Sequence, residues 1–219
     1  MGDGAVKYGP VRREGLRAIV FDLDGTLYQD DRLGEEVNQS ACRYIASLRG
    51  ISAAEADAML QRARAESGSG GTLSRAVLAL GGNLKELHRR FGQDVHPELL
   101  LQPDHRVPEF LKRLATQFQL HLYTNNNRQL SDRIMAQIGV TGLLGQIFTI
   151  EDYWLPKPDK GVIVAILDTI GCKPAETLFV GDRYQVDLAL PESIGCAIFE
   201  AKTVEELLTL AKLVEAEKA

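Results

Sequence analysis

The chain is poor in cysteine, in excess positive charge and in long apolar runs, and each shortage closes off a class of protein. Its three cysteines, Cys42, Cys172 and Cys196, are widely spaced and form no C-x-x-C pair. That leaves no disulfide framework and no zinc spacing, and it suits reduced thiols in a cytosol. Cys172 and Cys196 lie beside apolar residues and read as core packing. Acidic side chains outnumber basic ones, 30 to 25, for a net charge of -5. Nucleic acid polymers and anionic membranes call for a basic face, so neither is expected as a partner. No apolar run approaches the roughly 18 residues of a membrane span, and Met1-Gly2-Asp3-Gly4 lacks the basic and apolar regions of a signal peptide. A cytoplasmic protein is the expectation. His88, His96, His105 and His121 show no metal spacing and no serine partner, so they read as surface or satisfied core residues. No internal repeat or low-complexity segment is evident.

What remains is globular in character. With 219 residues, 45% hydrophobic and 25% charged, the chain can bury a sizeable core as one large domain or a core with a modest insert. Residues 1–15 carry four glycines and a proline without periodicity and read as a flexible lead-in. Leu16 to Phe21 is a short apolar run rich in β-branched and aromatic residues, which predicts a buried strand of a parallel sheet. From about Gln29 to Pro103 such runs disappear. Val37, Ala41, Tyr44, Ile45 and Leu48 recur at helical spacing, Ser52-Ala53-Ala54-Glu55 has the form of a capping box, and Gly68-Ser69-Gly70-Gly71 interrupts. Two further helical stretches, Thr72 to Leu80 and Leu84 to Phe91, complete an insert of about four helices.

An amphipathic helix with Phe110, Leu111 and Leu114 then precedes strand-like runs at Leu120 to Tyr123, Ile147 to Ile150 and Leu178 to Val180. Helical patterns lie between them at Leu130 to Ile138 and Val162 to Ile170. A last strand is predicted at Ala197 to Phe199, with Thr203-Val204-Glu205-Glu206 capping a final helix. Alternating strands and helices predict an α/β fold with a doubly wound, Rossmann-like parallel sheet, in which strand ends open onto one edge. The division expected is a core of residues 1–28 and 104–219 with a helical cap domain of residues 29–103.

The organising stretch is Asp22-Leu23-Asp24-Gly25-Thr26-Leu27. Asp22 falls at the carboxyl end of the first strand, where open α/β sheets bind ligands. Side chains two apart on an extended chain point the same way, so Asp22 and Asp24 can face one cavity before Gly25 lets the backbone turn. Carboxylates that close repel unless one holds a proton or a cation intervenes, and an oxygen-rich site of this kind suits Mg²⁺. Alone, the pattern also describes a turn after a strand. Thr124 with Asn125 follows the second strand and could cap the next helix or hold an anion at its start. Lys157 lies between prolines in Leu155-Pro156-Lys157-Pro158, whose restricted backbone can hold an ammonium in place. Gly181-Asp182 follows another strand, with Asp187 five residues after Asp182.

In order, D-x-D-G-T, T-N, K-P and G-D-x(4)-D resemble the four motifs of the haloacid dehalogenase (HAD) superfamily, and the resemblance covers nearly the whole chain. It implies a Mg²⁺-dependent phosphohydrolase. Asp22 would be the nucleophile that forms an aspartyl-phosphate, and Asp24 the acid and then the base. Gly25, Thr124, Asn125 and Lys157 would hold the phosphate. The metal would be bound by Asp22, Asp24 through its carbonyl, and Asp182, with Asp187 behind them holding Lys157 or a metal-bound water. Members that cleave carbon-halogen bonds lack an Asp matching Asp24, which disfavours dehalogenation, and ATPase pumps need membrane helices. The helical insert resembles the family's first class of cap. The resemblance implies a phosphomonoesterase for a small phosphorylated metabolite, with a phosphomutase or a non-catalytic phosphate-ligand binding module as alternatives. The Gly68 to Leu73 turn, Thr124-Asn125 and Lys157-Pro158 look more like the pyrimidine 5'-nucleotidase branch than the phosphoglycolate or sugar-phosphate branches. A nucleoside monophosphate would then place its base near Arg62, Arg64, Ser69 or Thr72. Trp154 and Tyr184 are expected to pack near the motifs.

Overall fold

The computed structural model describes residues 15–215, apart from the side chains of Ser69 and Glu215. All of the expected lead-in except Gly15, and residues 216–219, lie outside the described residues. Five strands, β1 (Ala18–Phe21), β2 (Gln119–Tyr123), β3 (Ile147–Phe148), β4 (Thr177–Gly181) and β5 (Ala197–Glu200), form one sheet in the order β3-β2-β1-β4-β5. All four pairings are parallel, with Ile19 set beside Leu120 on one side and Leu178 on the other. The chain builds outward from β1 through β2 to β3, then returns to lay β4 on the opposite side. The carboxyl end of β1 is therefore the point at which strand order reverses, the position that opens a crevice in sheets of this kind.

β1 is apolar at every position because both faces of the sheet are covered. Ile19 and Phe21 join one apolar cluster, Ala18 and Val20 the other, as the two-residue period of a strand requires. Helix α6 (Arg106–Ala115) buries Val107, Phe110, Leu111 and Leu114, spaced for a single stripe. Its Phe110 ring meets Phe21 edge-on at 6.3 Å. Helices α7 (Arg128–Gln137) and α11 (Val204–Glu215) also pack into this cluster, while α9 (Lys160–Ile170) covers the other face.

Between β1 and α6 lie α1 (Asp31–Arg49), α2 (Ala53–Glu66), α3 (Leu73–Ala79), α4 (Leu84–Asp94) and the one-turn α5 (Pro97–Leu100), with a 3₁₀ turn at Gly68–Gly70. The capping box at Ser52 forms, since Ser52 N–H donates to Glu55 at 2.9 Å and Glu55 N–H to Ser52 Oγ at 3.2 Å. Where about four helices are expected there are five, because Pro97 starts an extra turn at a position that does not need its missing N–H. This helical insert does not keep a separate core. Leu33, Ile45, Leu60, Leu87 and Phe91 belong to the same apolar cluster as Ile19 and Phe21.

One strand is shorter than its apolar run predicts. β3 stops at Phe148 because Thr149 N–H turns to donate to Asp152 Oδ2 at 2.6 Å, which opens helix α8 (Ile150–Tyr153). The final connection runs from β4 through a π-helical turn (Tyr184–Leu188) and α10 (Ala189–Ser193) to β5.

Phe21→Ala is expected to cost about 3–5 kcal/mol, the usual range for emptying a buried aromatic site. Urea unfolding measures it; a loss below about 1 kcal/mol would mean that the surroundings collapse into the gap.

Candidate functional site

The Asp22 N–H donates to Val180 O at 2.8 Å, extending the ladder one residue beyond β1 and turning the Asp22 side chain into the crevice. Only 7% of Asp22 is exposed. Lys157 Nζ lies 2.7 Å from Asp22 Oδ1 and 3.0 Å from Asp187 Oδ1, and the ammonium also sits 4.5 Å from the Tyr123 ring centre. Burial pulls the Lys157 pKa down, but Asp187 and Asp22 outweigh it and hold it above its ordinary value, so the group is charged. Burial pushes the Asp22 carboxyl above its ordinary range; Lys157 pulls it down, while Asp187, Asp24 and Asp182 add repulsion. Asp187 stands on the π-helical turn, close enough to β4 that a Cβ on Gly181 would lie 2.5 Å from its own Cβ.

Asp24 is held from two sides. Tyr28 donates its hydroxyl to Oδ1, and Asn126 donates to Oδ2 at 2.7 Å. Burial and the Asp24 charge raise the Tyr28 pKa well above its ordinary value, so the hydroxyl remains a donor. Thr124 is fully buried; its Oγ1 accepts Asn126 N–H at 3.1 Å and lies 3.5 Å from Asp24 Oδ2. The expected phosphate-holding hydroxyl thus faces Asp24. Asn125 Oδ1 accepts the Lys157 N–H at 2.9 Å.

Asp22, Asp182 and Asp187 each offer a carboxylate oxygen within 4.8 Å of the others. Both Asp187 oxygens are engaged, Oδ1 by Lys157 and Oδ2 by the Arg183 N–H at 3.2 Å. Asp182 Oδ1, by contrast, is buried without a hydrogen-bond partner, with Arg183 Nε no nearer than 3.9 Å. Burial, followed by Asp187, raises the Asp182 pKa to about 6. A carboxylate oxygen without a hydrogen bond beside a second buried carboxylate is a donor set that a small divalent cation would complete. Gly25 is required at this corner: its φ is +81°, and a Cβ would lie 2.6 Å from Asp182 Oδ2.

Beside the Asp22–Lys157–Asp187 cluster, which does not itself line it, lies a cavity of about 490 Å³ between the sheet edge and the insert. Asp24, Gly25, Asn125, Asn126, Asp182 and Arg183 line it from the core, and Asn38, Arg64, Thr72, His88 and Phe91 from the insert. Of the candidates for contacting a leaving group, Arg64 and Thr72 reach the wall. Arg62 is exposed, two residues and more than half a turn away on α2, and the Ser69 side chain lies outside the described residues.

Three residues of the site carry no sequence signal strong enough to single them out. Tyr28 is visible only as the position one turn after Asp24. Asn126 is one of three adjacent asparagines that capping alone would explain. His88 departs from the expectation of a satisfied histidine, because neither ring nitrogen has a hydrogen-bond partner. Its ring packs edge-on against Phe91 at 5.1 Å and against Trp154 at 6.3 Å, and burial lowers its pKa to about 4. Trp154 and Tyr184 both pack against the apolar clusters as expected, and the Tyr184 hydroxyl donates to Glu192.

The family model for haloacid dehalogenase-like hydrolases matches residues 16–195. The chain belongs to that family. It is therefore an enzyme, a hydrolase. It is 24% identical over 193 residues to a glyceraldehyde 3-phosphate phosphatase of Methanopyrus kandleri, covering 79% of this chain and 78% of that protein. To a phosphoglycolate phosphatase of Pectobacterium atrosepticum it is 27% identical over 195 residues, covering 83% and 78%. The crystal structure of a HAD phosphatase from Thermococcus onnurineus superposes with a TM-score of 0.61 at 18% identity, over 93% of this chain and all of that one. Among the described residues no helix is long and apolar enough to cross a membrane.

The neutral His88 has a consequence for acid stability. Between pH 6.5 and about 4 the unfolded chain binds a proton at this imidazole that the native state refuses, so stability falls as pH falls through that window. The loss amounts to about 3 kcal/mol at most. His88→Phe should therefore lose less stability on acidification than the wild type in urea titrations. Equal losses would mean that His88 is already protonated in the folded protein.

Proposed function

We propose that the chain is a Mg²⁺-dependent phosphomonoesterase that acts on a small phosphorylated metabolite through an aspartyl-phosphate on Asp22. The observation that carries this reading is the Asp22 carboxylate held against the buried Lys157 ammonium, two residues from a second carboxylate fixed by Tyr28 and Asn126. A binding module has no need of a nucleophile beside a positioned acid and base. The phosphatase names of the relatives support the same class of reaction.

Asp22 attacks phosphorus, and the bond to the leaving oxygen breaks as Asp24 gives that oxygen a proton. Asp24 then takes a proton from the water that attacks the acyl phosphate, releasing inorganic phosphate and restoring the Asp22 carboxylate. Tyr28 and Asn126 keep Asp24 aimed at the leaving side through both steps. Lys157 and Asn125 meet charge spreading over the phosphoryl oxygens, with Thr124 and Gly25 shaping the turn around them. Asp22, Asp182 and the Asp24 carbonyl would hold Mg²⁺, with Asp187 behind them. A bound Mg²⁺ offsets the repulsion between an anionic nucleophile and an anionic phosphate.

The helical insert, residues 29–103, acts in this reading as the cap that covers the leaving group. Arg64, Thr72 and Asn38 supply polar contacts to a nucleoside or to a smaller acid or aldehyde. Phosphate release from UMP, CMP, glyceraldehyde 3-phosphate, phosphoglycolate and simple sugar phosphates decides among these. A phosphomutase would return the phosphoryl group to a sugar phosphate instead of releasing it. The buried free cysteines suit a cytoplasmic site of action.

Asp22→Asn is expected to lower kcat by about a thousandfold or more with the fold intact. Asp24→Asn should instead form the aspartyl-phosphate from esters with good leaving groups and then retain it, seen as protein-bound radiolabelled phosphate. Near-wild-type turnover by Asp22→Asn would remove the covalent mechanism.

Mg²⁺ should raise the Tm of the wild type, and much less that of Asp182→Asn. Proton and metal compete for Asp182, so the apparent Mg²⁺ affinity should weaken as pH falls through about 6. A Tm unmoved by Mg²⁺ at neutral pH would remove the metal assignment.

A further inference from the structure

The segment that presents Lys157 cannot hold itself in place. Pro156 and Pro158 have no N–H, so among Pro156, Lys157 and Pro158 there are three carbonyls and one amide donor. The one donor goes to Asn125 Oδ1, in the core. The three carbonyls go to a single side chain from the insert. Arg75 donates Nε–H to Lys157 O at 3.1 Å and Nη2–H to Pro156 O at 3.3 Å and Pro158 O at 2.6 Å. Arg75 is itself set by the first turn of α3, where its N–H donates to Thr72 Oγ1 at 3.3 Å. The insert grips the same loop at its other end, through His88 against Trp154 and the Lys85 ammonium 5.5 Å from the Trp154 ring centre.

We propose that Arg75 is a positioning residue that couples the seating of the helical insert to the placement of Lys157. With α3 seated, the guanidinium fork fixes the backbone on either side of Lys157, and the ammonium is delivered between Asp22 and Asp187. With α3 lifted, the three carbonyls lose the one donor they have among the described residues, and of the loop backbone only the Lys157 N–H stays fixed, by Asn125, so the ammonium must hold Asp22 and Asp187 from a loosened backbone. Covering the cavity and arming the Asp22 side of it are then one event, so that an uncovered site lacks its fixed ammonium. The catalytic meaning of this coupling rests on the phosphatase reading, whereas the coupling itself does not.

The test uses the full chain with Arg75→Gln and Arg75→Lys; a lysine head cannot span three carbonyls as the planar fork does. Hydrogen exchange at the Lys157 amide should be about tenfold or more faster in both variants, while peptides from β1 and β4 stay unchanged. Emission from Trp154, the one tryptophan in the chain, should shift toward that of a more exposed indole. With p-nitrophenyl phosphate as probe, kcat should fall by about tenfold to a hundredfold with KM within about threefold. Free guanidinium should restore part of the kcat of Arg75→Ala. An unchanged Lys157 exchange rate, or a rise spread equally over β1 and β4, overturns the coupling. Faster exchange confined to the loop in a protein that hydrolyses no phosphate ester upholds the coupling and overturns the phosphatase reading alone.

Discussion

A buried ammonium between two carboxylates is the constraint from which the rest of the site follows. Lys157 would be costly to bury alone, and Asp22 and Asp187 would repel each other at this distance without it. Each of the three is tolerable only because the other two are in place. That mutual dependence fixes where β1 must end, where the turn after β4 must put Asp187, and how far the loop after α8 must reach across the sheet edge. The remaining imbalance falls on Asp182, whose buried oxygen has no hydrogen bond and only the Arg183 guanidinium at 3.9 Å to offset its charge.

The fold is legible in the sequence wherever one physical signal dominates. The continuous apolar run ending at Phe21, the Ser52 capping box and the α6 stripe each appear as the sequence reads, because burial on two faces, local capping and helical periodicity depend on near neighbours only. β3 is the instructive departure. Ile147 to Ile150 has the composition of a strand, yet Thr149 and Asp152 capture the backbone after two residues. A local side chain can outcompete a ladder at a sheet edge, where only one neighbour offers hydrogen bonds.

The carboxylates and the lysine were legible because their spacing along the chain is tied to strand ends. Asn126, His88 and Arg75 were not, for a different reason. Their contacts join positions as far as 102 residues apart, as in Asn126 to Asp24, and no pattern in the sequence records which insert face meets which loop. Arg75 is the clearest case: an arginine on a short helix reads as a solvated charge until the carbonyls of a proline-flanked loop arrive beside it.

The turn after β2 packs three separate attachments into three consecutive side chains. Asn125 takes the Lys157 N–H, Asn126 fixes Asp24, and Asn127 both caps α7 through Leu130 N–H and donates to His88 O on the insert at 2.6 Å. Nothing in such a turn is spare. Adding or deleting one residue there would shift every side chain to its neighbour's bearing and unhook the lysine loop, the second carboxylate and the insert together. In a chain about a quarter identical to its relatives, this is a place where the length of the turn is as constrained as the three side chains it carries.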